Sequence, residues 1–328
     1  MYYKPIIIVS GEPNSIFFEI FFKTLKKKKF KRNIILIGSH KLLKLQMKKL
    51  KFKFKVNQLH VNSISDLNFE KKSINLINID YDTNLAFEKI SNKSKIYIEN
   101  CFKVAFQLIN QGISNKLLSG PISKKSFLNK KFLGVTEYIA ANFKTKKNAM
   151  LIFNKNLSVC PLTTHLPLKK VVKKITKKNI YEKTILINDF YKNFFNIKPK
   201  IGILGLNPHC ESIDKYNEDD KIIKPAVKHL AKLNYNVSGP FSADTIFLKD
   251  NRKKFDVIIG MYHDQVLTPI KTLFEYDAIN ITLGLPFLRV SPDHGPNEKM
   301  LGKNSSNPLS LLRAITFLDT NWLEQKKV

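Results

Sequence analysis

Short apolar runs of the kind a buried parallel strand needs recur along the chain, separated by stretches with helical spacing. Ile6 to Ser10 reads as a first strand, followed by a turn at Gly11 to Ser15 and an apolar helix from Ile16 to about Leu25. Asn33 to Ser39 is a second strand, and weaker strand-like pieces lie near Val56 and Asn75. Tyr97, Cys101, Val104, Ala105 and Leu108 give Ala86 to Gln111 the period of a helix that ends near Gly112. Further strands fall at Lys116–Ser119, Ala149–Phe153, Leu157–Leu162, from Ile201, and at Val257–Gly260. Helices are expected over Leu168–Ile175, Tyr181–Phe195, Lys221–Leu233 and Pro308–Leu318, with Ser242 as the cap of a further short helix. Strands alternating with helices make this an α/β chain.

Three of the strands end in a histidine. His165 closes Leu157-Ser-Val-Cys-Pro-Leu-Thr-Thr-His165, and His209 closes Ile201-Gly-Ile-Leu-Gly-Leu-Asn-Pro-His209. His263, with Asp264 beside it, follows Val257–Gly260. In open α/β sheets ligands bind beyond the carboxyl ends of the strands. Any one of these histidines is as well read as a hydrogen-bonded strand-end residue. Together they favour a site where imidazoles bind a divalent metal or move a proton. His40 also follows a strand, so the pattern alone does not set it aside, whereas His60, His229 and His294 have weaker contexts. Lys271, Asn280 and Arg289 come after His263 between apolar runs, where polar groups are costly unless paired or used.

At 328 residues, 43% hydrophobic and with 24 Phe, the chain is long enough for two lobes with ample core material. No apolar run reaches the length of about 18 residues that would cross a membrane, and the N-terminus leads into strand-like sequence without a cleavable signal pattern. Three cysteines, Cys101, Cys160 and Cys210, show no paired spacing, which suits a reducing cytoplasm; Cys210, beside His209, is read as an incidental neighbour in preference to a reactive thiol. The formal charge of +30 invites a nucleic-acid reading. Against it, the lysines are scattered and the only arginines are Arg32, Arg252, Arg289 and Arg313, too few for phosphate or base readout by the guanidinium fork. The charge is therefore expected to steer anionic substrates and keep the surface solvated.

Six segments stand in one order: Ser119-Gly-Pro-Ile-Ser-Lys124, Thr163-Thr-His-Leu-Pro-Leu168, Leu206-Asn-Pro-His209, Gly239-Pro-Phe-Ser-Ala-Asp-Thr245, Met261-Tyr-His-Asp-Gln265 and Thr282-Leu-Gly-Leu-Pro-Phe287. Together they closely resemble the 4-hydroxythreonine-4-phosphate dehydrogenase family of pyridoxal phosphate biosynthesis. The resemblance covers nearly the whole chain and is weakest in its first hundred residues. It implies two α/β/α lobes like those of isocitrate and isopropylmalate dehydrogenases, with the site in the cleft between them. One lobe is built from both chain ends (1–125 and 275–328), the other from 126–274. It implies a divalent ion (Zn, Mg or Co) on His165, His209 and His263, one of the three arriving from a partner subunit, and hence a cytoplasmic homodimer. NAD or NADP is the implied cofactor; no GxGxxG follows the first strand, so its binding residues are not readable. Thr136, Lys271, Asn280 and Arg289 match substrate contacts. Asp244 and Asp264 are candidates to orient the imidazoles or to take a proton, and Lys271 joins them as a catalytic candidate.

The chain departs from the family in two places. Ser15, Phe17 and Phe18 replace the later glycines and proline of the first turn, and Val135 stands where the family has a histidine next to Thr136. Glu218 and Asp219 fall where the family has an acidic pair. A phosphorylated four-carbon sugar acid, threonate or erythronate 4-phosphate, is the alternative substrate that Val135 supports; a non-catalytic homologue is the third possibility.

Overall fold

A computed structural model of the chain describes residues 3–60, 68–123, 127, 132, 134–214 and 216–320. Its strands are β1 (Ile6–Val9), β2 (Ile34–Gly38), β3 (Lys55–Gln58), β4 (Ser73–Asn78), β5 (Lys116–Ser119), β6 (Ala149–Phe153), β7 (Ser158–Pro161), β8 (Ile201–Leu204), β9 (Val237–Phe241), β10 (Val257–Gly260), β11 (Ile279–Leu283) and β12 (Leu288–Pro292). The chain divides into two compact units, one made of residues up to 139 and from 286 to 320, the other of residues 140–285. These crossings come later along the chain than the positions near 125 and 275 expected from sequence.

In the first unit the strand order is β3-β4-β2-β1-β5-β12, and every pairing is parallel. The central strand explains itself: Ile6, Ile7, Ile8 and Val9 are all fully buried, as a strand covered on both faces must be. The Phe17–Lys27 helix buries Phe17, Phe18, Ile20, Phe21 and Phe22. The helix expected from Ala86 starts only at Ser94 and runs to Asn110. The preceding backbone is drawn off by side chains: Gln46 Nε2 donates to the Ala86 carbonyl (2.9 Å), and the Glu88 N–H donates to Asn14 Oδ1 (2.9 Å).

In the second unit the order is β11-β6-β7-β10-β8-β9. β6 runs antiparallel to both β11 and β7, while β7, β10, β8 and β9 are mutually parallel. Met150, Ile152, Val159, Ile258, Val266 and Ile270 belong to one buried cluster in this unit. The Lys177–Phe195 helix begins earlier than expected because Thr176 caps it, accepting from the Asn179 N–H, and it ends on Asn196 in the left-handed region. Ser242 caps no helix: residues 243–247 form a turn, with the Ser242 carbonyl accepting from the Thr245 and Ile246 N–H groups. Among the described residues no helix is long and apolar enough to cross a membrane.

Candidate functional site

The parallel run β7-β10-β8-β9 brings four strand ends to one edge, each carrying a residue singled out by sequence. In that order they are His165, His263, His209 and Asp244. The edge is knitted by hydrogen bonds that cross from strand to strand. Leu162 N–H donates to the Gly260 carbonyl (2.7 Å), and Thr163 Oγ1 donates to the Met261 carbonyl (2.8 Å), joining β7 to β10. Gln265 Oε1 accepts from Met261 N–H (2.7 Å) while its Nε2 donates to the Gly205 carbonyl (2.8 Å), joining β10 to β8. Gly205 N–H in turn donates to the Phe241 carbonyl of β9 (3.0 Å).

The imidazoles of His165 and His263 face each other with ring centroids 5.6 Å apart. His263 opens the His263–Phe274 helix, and its Nδ1 lies 2.6 Å from Asp264 Oδ1. A carboxylate can only accept, so Nδ1 is the donor of this pair, and in the neutral ring the Nε2 lone pair is left for a metal or a substrate proton. Asp244 and Asp264 are both exposed and line one groove with Tyr262, Gln265 and Phe247. His209 is exposed and held at φ +56°, with Cys210 at +61°. Such left-handed backbone in residues other than glycine costs on the order of 1–3 kcal/mol each and persists only where the surroundings impose it. Among the described residues no three His, Cys, Asp or Glu side chains stand close enough to hold a metal ion. The chain by itself therefore pairs two of its three candidate imidazoles. Lys271 lies half-buried in the last turn of the His263–Phe274 helix. Asn280 sits in β11 with its Oδ1 buried and without a hydrogen-bond partner among the described residues.

The remaining candidates lie in the first unit. Arg289, in β12, is only 3% exposed, and its Nη2 donates to Ser119 Oγ at 2.7 Å. Burial lowers its proton affinity to a pKa of about 10, an effect opposed by the nearby Glu137 carboxylate. Val135 and Thr136 are the first two residues of the Val135–Asn142 helix, both half-buried, and Val135 puts no polar group there. Lys124 lies outside the described residues.

The first turn, lacking its family glycines, is closed rather than empty. Gly11 adopts φ +78°, and a Cβ there would come within 2.4 Å of the Pro121 carbonyl oxygen. Glu12, Asn14 and Ser15 are each 1% exposed. Glu12 Oε2 accepts from Ser94 Oγ (2.9 Å) and Oε1 from Asn14 N–H (3.3 Å), while Ser15 Oγ donates to the Glu12 carbonyl (2.7 Å). Burial pushes the Glu12 carboxyl above its ordinary value, partly offset by those two hydrogen bonds. Sequence reasoning gave no role to Glu12, Gln265 or the buried Asp219. All three act through backbone groups, which leave no periodicity to read.

A profile of the family described as pyridoxal phosphate biosynthetic protein PdxA matches residues 30–318. The chain belongs to this family. A 4-hydroxythreonine-4-phosphate dehydrogenase of Sulfurihydrogenibium sp. (strain YO3AOP1) is 41% identical over 320 residues, 94% of this chain and 96% of that relative. A protein of Oceanobacillus iheyensis provisionally named D-threonate 4-phosphate dehydrogenase is 31% identical over 322 residues, 95% of this chain and 96% of that relative. Among solved structures, one provisionally named 4-hydroxythreonine-4-phosphate dehydrogenase, from Salmonella typhimurium, superposes with TM-score 0.83 at 27% identity, covering 97% of this chain and 99% of that one. The isocitrate dehydrogenase of Methylococcus capsulatus shares the fold alone, with TM-score 0.51 at 10% identity, covering 99% of this chain and 86% of that one. The PdxA-family chain is thus an α/β dehydrogenase by its family and its fold.

Proposed function

We propose that this PdxA-family chain oxidises the secondary alcohol of 4-phosphooxy-L-threonine to 2-amino-3-oxo-4-phosphooxybutanoate, which loses carbon dioxide to leave 3-amino-2-oxopropyl phosphate. Hydride leaves the alcohol carbon for the nicotinamide of NAD or NADP, and the hydroxyl proton goes to a base on the protein. The observation that carries this reading is the histidine edge at the ends of β7, β10 and β8, with the Nε2 of His263 left available by Asp264. Two imidazoles with ring centroids 5.6 Å apart are donors of the kind that Zn²⁺ or Co²⁺ takes, and Mg²⁺ remains a third option. His165 and His263 of one chain would hold the ion with His209 of a second copy, which makes the enzyme a cytoplasmic homodimer. When bound, the ion supplies positive charge beside the reacting oxygen.

The chain's own groups then divide the work. Asp264 is committed to His263 and orients its ring, which leaves Asp244 and Lys271 as the groups to take the hydroxyl proton. Arg289 and Thr136 recognise the anionic parts of the substrate, and Asn280 brings an amide with an unsatisfied oxygen to its polar groups. The first βα turn does not fit a dinucleotide pyrophosphate, because Glu12, Asn14 and Ser15 fill it with buried side chains.

D-threonate 4-phosphate is the second reading, favoured by Val135 and by the similarly named Oceanobacillus relative. Turnover assays with both phosphorylated substrates, with and without added divalent ion, separate the two. Val135→His should raise kcat/KM for 4-phosphooxy-L-threonine by up to about a hundredfold, the worth of one hydrogen bond to a charged group. A wild type that prefers the sugar acid, together with a variant that loses activity on the amino acid, would transfer the assignment to the second reading. No turnover of either substrate would leave the non-catalytic homologue.

A further inference from the structure

The loop that delivers His209 is fixed by a residue that never reaches the groove. Asp219 is completely buried. Its Oδ1 accepts from the Leu206 N–H (2.8 Å), and its Oδ2 accepts from the Asn207 N–H (3.1 Å) and from Asn207 Nδ2 (2.8 Å). Three donors onto one carboxylate, two of them consecutive backbone amides, hold the chain just before Pro208 in a single conformation. The loop then closes on itself, with Cys210 N–H donating to the Asn207 carbonyl (3.0 Å) and Glu211 N–H to that of Pro208 (3.1 Å). Gly205 is required by the same packing: a Cβ there would lie 2.6 Å from Asp219 Oδ1 and 2.7 Å from Cys210 Sγ.

How Asp219 comes to point inward is visible in its own element. Asp219–Ile223 is a π-helical turn leading into the Lys224–Lys232 helix. The extra residue of a π turn changes which side chains face in, and such turns recur at functional sites. Its two adjacent acids have different surroundings. Asp220 stays at the surface, paired with Lys224 Nζ (2.5 Å) and Asn217 Nδ2 (3.1 Å), while Asp219 is turned onto the His209 loop.

We propose that Asp219 is a positioning residue: by clamping Leu206 and Asn207 it holds His209 in the left-handed backbone conformation from which its imidazole serves the site. This rests on the reading of His209 as a metal ligand. Zinc affinity of the metal-free full-length protein, measured by calorimetry, tests it in wild type, Asp219→Asn, His209→Ala and the double variant. Asp219→Asn should weaken Zn²⁺ binding ten- to a hundredfold, as loss of a ligand-orienting partner does, and should speed hydrogen exchange in residues 205–211. The double variant should bind Zn²⁺ no more weakly than His209→Ala alone, because a clamp has nothing to position once the imidazole is gone. Additive losses, or wild-type affinity despite faster exchange, would overturn the proposal while leaving His209 a ligand. Wild-type affinity in His209→Ala would remove the ligand reading itself and the proposal with it. The wild-type protein supplies a check that needs no variant: Zn²⁺ should slow exchange at the Leu206 and Asn207 amides, and unchanged exchange there counts against the clamp.

Discussion

At the strand ends of the second unit most of the candidate chemical groups are open to solvent. His209, Asp244 and Asp264 are exposed, and a third of the His263 side chain (33%) meets solvent. The strand ends of the first unit are closed: Glu12, Asn14 and Ser15 are 1% exposed, Arg289 is 3% exposed, and fixed partners such as Ser94 and Ser119 hold them. Exposed charges cost little to maintain and are available to an ion, a substrate or a second copy of the chain. Buried ones must be compensated inside the fold, so their loss is felt in stability and proton affinity as much as in chemistry. The two units therefore call for different experiments. Substitutions at the open edge should change turnover at constant stability, and substitutions at the closed end should change both or only stability.

The largest effect is expected at His263. His263→Ala removes the lone pair proposed to hold the ion, and kcat should fall on the order of 10³-fold, as expected when the several kcal/mol of charge stabilisation that a bound ion supplies are lost. Stability by denaturant unfolding should stay within about 0.5 kcal/mol of wild type, as for other surface substitutions. A large loss of stability with normal turnover in the residual folded protein would reverse the contrast between the two units.

Most strands were legible because their apolar runs are nearly uninterrupted, and the three histidines stood out because each follows such a run; β9, β11 and β12 were not, because Ser238, Gly239 and Pro240, Asn280 and Thr282, and Arg289 and Ser291 break theirs. That β7, β10 and β8 are adjacent and parallel could not be read, since strand order depends on contacts distant in sequence. His209 at φ +56° was hidden because nothing in Leu206-Asn-Pro-His209 announces a left-handed histidine; the cause is Asp219, on a different element. The first turn departs from the family in sequence and is closed in structure. Without its family glycines it is filled from within: Ser15 and Glu12 bond to their own backbone neighbours, and Phe17 and Phe18 fill the core. The late start of the Ser94–Asn110 helix belongs to the same network, because Asn14 binds the backbone at Glu88.

Arg289 sharpens the comparison, being closed off yet proposed to meet the substrate. Lysine carries the same charge but lacks the planar fork, so it cannot hold Ser119 and an oxyanion with the same geometry. Arg289→Lys should raise KM by about tenfold, corresponding to about 1.4 kcal/mol, with a smaller change in kcat. Wild-type kinetics combined with a lowered Tm would make Arg289 a structural residue like its buried neighbours.

The smallest effect is expected at Glu12, and its sign is the informative part. The carboxyl is pushed above its ordinary value chiefly by burial, so the folded chain binds that proton more tightly than the unfolded chain does. The stability this group contributes is complete below its unfolded value, near pH 4.3. It declines as pH rises through the raised native value and is constant beyond it. In Glu12→Gln the side-chain amide cannot titrate, and every other carboxylate is common to both proteins and cancels in the comparison. The stability of this variant relative to wild type should therefore become more favourable as pH rises from about 4 through the raised native value, by about 1.4 kcal/mol for each tenfold difference in proton affinity. Urea unfolding of both proteins at several pH values measures it. A difference that moves the other way would mean that the bonds from Ser94 and Asn14 outweigh burial, and that the closed end of the first unit holds Glu12 as a stabilised anion.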